Sequence, residues 1–273
     1  MKKTLKYILS KKASKIPVTM ATAYDFPTAQ LQDQAGMDCI LIGDSLGTNV
    51  LGYESERQVT MDDMLHHTAA VARGVQDACI LADLPFGSTE TSEFAMENAS
   101  KLVNAGADCV KIEGWHHKLT IIKELVQNGF SICAHIGYNP QIHDKPKTFG
   151  KDATQALELL KAAQALQDAG ACMLVLEKIP HEIAAEISFQ LEIPTIGIGS
   201  GNGCDGQVLV VNDLLGLSSR KFRHVQTFAD LREIELSAFK SYIQAIETRI
   251  FPSEENTVRI GEAELQKFRS ALR

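Results

Sequence analysis

One step of the chain recurs three times and constrains the fold more than any other feature. Gln34-Ala35-Gly36-Met37-Asp38-Cys39, Asn104-Ala105-Gly106-Ala107-Asp108-Cys109 and Asp168-Ala169-Gly170-Ala171-Cys172 nearly repeat one another. Each follows a helix-like stretch and precedes an apolar run. Glycine there suits the left-handed residue that ends a helix before the chain turns into a strand. Repetition of that turn predicts alternating β and α units around a parallel sheet.

Eight strand candidates follow from short β-branched or apolar runs, at about 17–22, 38–43, 79–83, 108–113, 131–136, 172–177, 194–198 and 207–211. Several are continuously apolar, as parallel strands covered on both faces must be. Helices are expected at about 26–35, 61–74, 91–105, 117–128, 152–169 and 180–190. Capping patterns open two of them, Thr60-x-x-Asp63 and Asp152-x-x-Gln155. A long helix is expected over 227–249, introduced by Thr227-x-x-Asp230, then a break at Phe251-Pro252 and a short helix near 261–271. The basic start, MKKTLKYILSKKAS, predicts an amphipathic lead-in helix. Eight strands with helices between them predict a (β/α)8 TIM barrel with a core over 17–217, within a single domain spanning 1–273. An open doubly wound sheet is the alternative, weakened by the lack of a G-x-G-x-x-G after the first strand and of a P-loop.

Composition narrows the function classes. With 27 Lys+Arg against 34 Asp+Glu the net charge is −7, which argues against a nucleic-acid partner. No apolar run approaches the roughly 20 residues of a membrane helix, so no membrane partner is expected, and the N-terminal apolar stretch is too short for a secretory leader. The six cysteines form no Cys-x-x-Cys pair, and the first five lie in or beside strands. Small buried thiols in a reducing cytoplasm are the expectation, in place of disulfides or zinc.

In a barrel, chemistry sits at the C-terminal ends of the strands. Those ends carry Asp44-Ser45, Asp83, Lys111-Ile112-Glu113, His135 and Glu177. An acid at one strand end is ordinarily a turn or helix cap. Four converging on one mouth repel each other and need a cation or a shared proton. Carboxylate oxygens without a His/Cys cluster favour Mg2+ or a similar hard ion. Lys111 and Glu113 are two apart on one strand and face the same way. Lys111 is either simply paired with Glu113 or there to bind a substrate carboxylate or oxyanion. His135 is either a satisfied core histidine or a group that orients or protonates substrate. Gly197-x-Gly199-x-Gly201-x-Gly203 lies where barrels often bind phosphate, but glycines also serve tight turns and close packing.

From about residue 17 to 217 the sequence resembles the ketopantoate hydroxymethyltransferases, pantothenate-pathway enzymes. The resemblance is carried by Ala23-Tyr24-Asp25-Phe26, Ile42-Gly43-Asp44-Ser45-Leu46-Gly47, His67-Thr68-Ala69-Ala70-Val71 and Leu81-Ala82-Asp83-Leu84-Pro85-Phe86. It continues through Val110-Lys111-Ile112-Glu113-Gly114, Ala134-His135-Ile136-Gly137 with Pro140-Gln141, and Leu174-Val175-Leu176-Glu177. It closes with Ile196 to Asn202 and Asp205-Gly206-Gln207. The segment Ile142–Gly150 is shorter than the family's and departs from its pattern.

The resemblance implies a (β/α)8 barrel of the phosphoenolpyruvate/pyruvate type with Mg2+ as cofactor. It implies transfer of a one-carbon unit from 5,10-methylenetetrahydrofolate, as co-substrate, to 3-methyl-2-oxobutanoate, giving 2-dehydropantoate, a step towards pantothenate and coenzyme A. Asp44, Asp83 and Glu113 then match the metal carboxylates. Asp44, Ser45, Asp83 and Lys111 match the 2-oxo-acid contacts, with His135 in the same pocket, and Glu177 matches the catalytic acid/base. A homo-oligomer, often a decamer, is also implied. Two other readings remain: a Mg-dependent 2-oxo-acid lyase or aldolase of the same superfamily, and a non-catalytic metabolite-binding barrel.

Overall fold

A computed structural model describes residues 2–116, 118–218, 222–223 and 225–273. Eight parallel strands close into a barrel in sequence order: β1 Val18–Thr22, β2 Cys39–Ile42, β3 Cys79–Asp83, β4 Cys109–Glu113, β5 Ile132–Gly137, β6 Met173–Glu177, β7 Thr195–Ile198 and β8 Gly206–Leu209. β8 pairs back onto β1. All eight expected strands form, and the doubly wound alternative falls.

Helices α2 Phe26–Gln34, α3 Met61–Gly74, α4 Ser92–Asn104, α5 Lys118–Gln127, α6 Ala153–Asp168 and α7 His181–Gln190 separate the strands up to β7. Expected residue 117 lies outside the described residues. The repeated glycines have positive φ, +85° at Gly36, +117° at Gly106 and +96° at Gly170, just beyond the C-caps Ala35, Ala105 and Ala169. Thr60 and Asp63 cap α3 reciprocally, and Asp152 accepts from the Gln155 amide at the start of α6.

Strand alternation divides the core into two layers. Outward residues such as Ile40, Ile80, Val110, Ile132 and Leu174 pack beneath the helices. Inward residues fill the lumen: Met20, Cys39, Leu41, Cys79, Leu81, Cys109, Cys133, Met173 and Val175 among them. The thiols of Cys39, Cys79, Cys109 and Cys133 are therefore free, buried packing groups.

The lead-in helix, α1 Leu5–Ala13, adds Ile8 to the lumen cluster and so plugs the N-terminal end of the barrel. Its charges are spent on anchoring. Lys11 bonds Asp38 in the interior, and Lys12 reaches Asp205 at 2.7 Å. Asp38 also accepts from the Tyr7 hydroxyl and from both Thr19 donors. Burial pushes the Asp38 carboxyl up, but Lys11 and Thr19 outweigh it and hold it below the ordinary range. Its stabilisation is therefore present above about pH 4 and lost as pH falls through the lower folded-state value. Asp38→Asn should cost about 3 kcal/mol at neutral pH, the scale for leaving a buried partner charge uncompensated. A urea titration reads this, and the variant's stability should fall less steeply below pH 4. An unchanged midpoint and acid limb refute it.

Three α-helices follow β8 among the described residues and differ in part from expectation. α8 Val211–Leu214 is a single short turn, and α9 Leu231–Glu247 and α10 Glu262–Ala271 are the two expected helices. Thr227 does not begin α9: the helix starts four residues later, and Asp230 makes no side-chain cap. The Phe228 and Leu231 amides donate instead to Leu214 and Leu215 carbonyls, at 2.8 and 3.0 Å. That tertiary contact supplies what the cap would have supplied. Among the described residues no helix is long and apolar enough to cross a membrane.

Candidate active site

Strand register builds the mouth of the barrel. Asp83 on β3 lies beside Lys111 on β4, Glu113 beside His135 on β5, and Gly137 beside Glu177 on β6. Asp83, Lys111, Glu113, His135 and Glu177 all share the parity of the lumen residues below them. Asp44 lies just past β2, where its backbone amide donates to Asp83 Oδ2 at 3.1 Å. Two glycines allow this closeness. A Cβ on Gly43 would stand 2.9 Å from Ser45 Oγ, and one on Gly137, at φ +101°, would stand 2.1 Å from the Glu177 carbonyl oxygen.

Asp44, Asp83, Lys111, Glu113 and His135 are all buried. Lys111 Nζ sits 3.0 Å from both Asp83 Oδ2 and Glu113 Oε1. Glu113 Oε1 also meets His135 Nδ1 at 3.0 Å. On the far side of that ring, His135 Nε2 faces Glu177 Oε2 at 3.4 Å. Glu177 is the exposed end of the chain of contacts, its side chain 15% accessible. Ser45 Oγ is 2.9 Å from the Tyr24 hydroxyl.

Charge is unevenly neutralised. Burial opposes charge on Glu113, but Lys111 and then His135 outweigh it and hold the carboxyl at about 2. Burial likewise opposes charge on His135, and Glu113 outweighs it, raising the imidazole to about 9. Lys111 is driven well above its usual value because Asp83, Glu113 and Asp44 together overcome its desolvation. Asp44 goes the other way, well above the carboxylate range, through burial and then repulsion from Glu113 and Asp83. Burial raises Asp83 also, against the pull of Lys111. The cluster thus carries more buried acid than its cations satisfy.

A cation fits that excess. One ligand atom from each of Asp44, Asp83 and Glu113 lies within 4.8 Å of the others. Asp83 Oδ1 and Glu113 Oε2 are buried without a hydrogen-bond partner, which is costly unless something else neutralises them. Three carboxylates with no thiolate suit a hard divalent ion.

All seven residues expected at the site therefore meet at one barrel mouth. Two more enter it without having been assigned a role from sequence. Tyr24, whose phenol is raised chiefly by burial, holds Ser45. Gln141 Nε2 donates to Asp44 Oδ2 at 2.8 Å. Both stand within the motifs quoted above, but nothing in their spacing says what they touch. The glycine run after β7 has a packing explanation: a Cβ on Gly201 or Gly203 would strike His181 or Ala185 of α7, at 2.4 and 2.6 Å.

Residues 2–254 match the family model described as ketopantoate hydroxymethyltransferase. The 3-methyl-2-oxobutanoate hydroxymethyltransferase of Roseiflexus sp. (strain RS-1) is 45% identical over 272 residues, covering 98% of each chain. Among solved structures, a phosphonopyruvate hydrolase complex with oxalate and Mg++ superposes with a TM-score of 0.64 at 13% identity, covering 100% of this chain and 97% of that one. A 2,3-dimethylmalate lyase, described as a PEP mutase/isocitrate lyase superfamily member, superposes at 0.60 with 14% identity, covering 100% of both. At those identities the likeness is one of fold, the closed (β/α)8 barrel that was expected.

Proposed function

The chain belongs to the ketopantoate hydroxymethyltransferase family, and from that premise we propose that it transfers a hydroxymethyl unit from 5,10-methylenetetrahydrofolate to 3-methyl-2-oxobutanoate, giving 2-dehydropantoate. The observation that carries the reading is the single buried cluster of Asp44, Asp83, Lys111, Glu113 and His135 opening onto Glu177.

Asp44, Asp83 and Glu113 are the residues to hold Mg2+. Bound there, the ion supplies Lewis acidity to the 2-oxo group and so acidifies the proton on C3. Ser45, steadied by Tyr24, and Lys111 bind the oxo acid with Asp44 and Asp83. Lys111 keeps its proton among three carboxylates and so presents fixed positive charge where negative charge develops on the substrate oxygen. His135 donates towards Glu113 and orients its other face to Glu177. Glu177 is the proton-transfer group. The reaction needs protons moved at C3 of the oxo acid and at the folate nitrogen, and Glu177, at the accessible edge of the cluster, is suited to serve either.

Product analysis with oxo acid, methylene donor and Mg2+ tests the proposal. Turnover strictly dependent on the folate donor is expected. Turnover without it would favour a lyase or aldolase, and oxo-acid binding without turnover would favour a metabolite-binding barrel.

The C-terminal region is proposed as one domain with the barrel and as its assembly surface. No residue of α9 is buried, its large apolar side chains included: Ile234 and Phe239 are 61% and 64% exposed, and Tyr242, Ile243 and Ile246 lie exposed with them. Such a patch on a helix is costly in water. A homo-oligomer that covers it is expected, with no catalytic group beyond residue 225. Native mass spectrometry counts the copies, and a monomer at micromolar concentration refutes the assembly. The free thiols and the biosynthetic role suit the cytoplasm.

A further inference from the structure

Each of the three carboxylates uses one oxygen on the protein and leaves the other. Asp83 Oδ2 accepts from Lys111 and the Asp44 amide, and its Oδ1 has no partner. Glu113 Oε1 accepts from Lys111 and His135, and its Oε2 has no partner. Asp44 follows the same pattern by a different device. Its Oδ2 accepts from Gln141 Nε2, which among the described residues is the only hydrogen-bond donor to that carboxylate.

Gln141 comes from the loop after β5, far from Asp44 in sequence, and that loop is tied down. Arg57 Nε donates to the Gln141 carbonyl at 2.9 Å and Arg57 Nη2 to the Ile142 carbonyl at 2.7 Å. Arg57 Nη1 pairs with Asp144 at 3.0 Å. The Gln141 amide donates to Asn139 Oδ1 at 2.8 Å, and Asn139 is itself buried. The side chain also reaches the Leu84 carbonyl at 3.2 Å, so the amide group is fixed from two sides. A neutral donor of this kind orients a carboxylate without discharging it.

We propose that Gln141 is a positioning residue that restricts Asp44 to one ligating oxygen and thereby makes the site selective for Mg2+ over Ca2+. The proposal rests on the cation site of the preceding section. Mg2+ requires near-octahedral geometry and usually keeps water in its shell, so it suits single-oxygen carboxylate ligands. Ca2+ is larger, takes six to eight oxygens and accepts bidentate carboxylates. With Oδ2 accepting from Gln141, the carboxylate of Asp44 is held in one orientation and Oδ2 is the poorer donor to a metal, which disfavours chelation through both oxygens. Freed from Gln141, it can rotate and offer both, which helps Ca2+ and loosens the geometry Mg2+ needs.

The test is calorimetric titration of the full chain with MgCl2 and, separately, CaCl2, without substrates. Gln141→Met keeps the length and removes the donor. Its Mg2+ affinity should fall about tenfold, the lower end for loss of a partner outside the ligand set, while Ca2+ affinity stays level or tightens. Arg57→Ala, which frees the loop at a distance, should shift the ratio the same way by less. Gln141→Ala is the second variant, and circular dichroism establishes that each is folded. Equal weakening of both ions would mean a general structural role and overturns the proposal, as does a ratio unchanged from wild type. Wild-type protein that binds no Mg2+ would instead overturn the cation site itself.

Discussion

Asp83→Ala should lower Mg2+-dependent kcat/KM by about a hundredfold, a loss of roughly 2.7 kcal/mol of transition-state stabilisation. Several functions end together in that one substitution. Asp83 Oδ2 receives Lys111 Nζ at 3.0 Å and the Asp44 amide at 3.1 Å, so its removal frees the lysine and the turn that carries a second carboxylate. Its Oδ1, buried and unpaired, is an oxygen that a cation would engage. Lys111 would then pair with Glu113 alone, and its positive charge would shift away from the position proposed for the oxo acid. Stability should change less than activity, because removing Asp83 also removes a repulsive neighbour of Asp44 and Glu113. Steady-state kinetics across a Mg2+ titration read the effect. Full activity in the variant, or in wild-type enzyme with excess chelator, rejects Asp83 as part of the site.

The strands and most of the site were legible because both follow short-range rules. A parallel strand is an apolar run, and the inward parity that buries Cys109 also turns Lys111 and Glu113 into the mouth. Asp83, His135 and Glu177 follow by the same parity on their own strands. What periodicity cannot supply is the contact between elements distant in sequence. Gln141 reaches Asp44 from a loop held by Arg57, and no spacing encodes that. Tyr24 reaches Ser45 in the same way. The start of α9 failed for a related reason: Thr227-x-x-Asp230 has the chemistry of a cap, but the Leu214 and Leu215 carbonyls took up the Phe228 and Leu231 amides. Local patterns name candidates, and tertiary competition decides among them.

Glu177→Gln should reduce kcat by about 10²–10⁴, the range for loss of a general acid or base, while Mg2+ and oxo-acid binding stay close to wild type. Position separates Glu177 from the other acids. Asp44, Asp83 and Glu113 form one compact set. Glu177 is not part of it, stands across the His135 ring at 3.4 Å, and is the accessible member of the group. A carboxylate placed there has little to add to holding a cation but can exchange protons with a substrate entering the mouth. Gln keeps the size and the capacity to face His135, and it removes the titratable proton. The substitution also leaves the Glu177 backbone carbonyl in place, which matters because Gly137 packs directly against it. A fall in kcat with unchanged calorimetric binding therefore isolates proton transfer from site assembly. The converse outcome, weakened Mg2+ binding with full turnover at saturating metal, would make Glu177 a ligand or a support and transfer the acid/base role to another group.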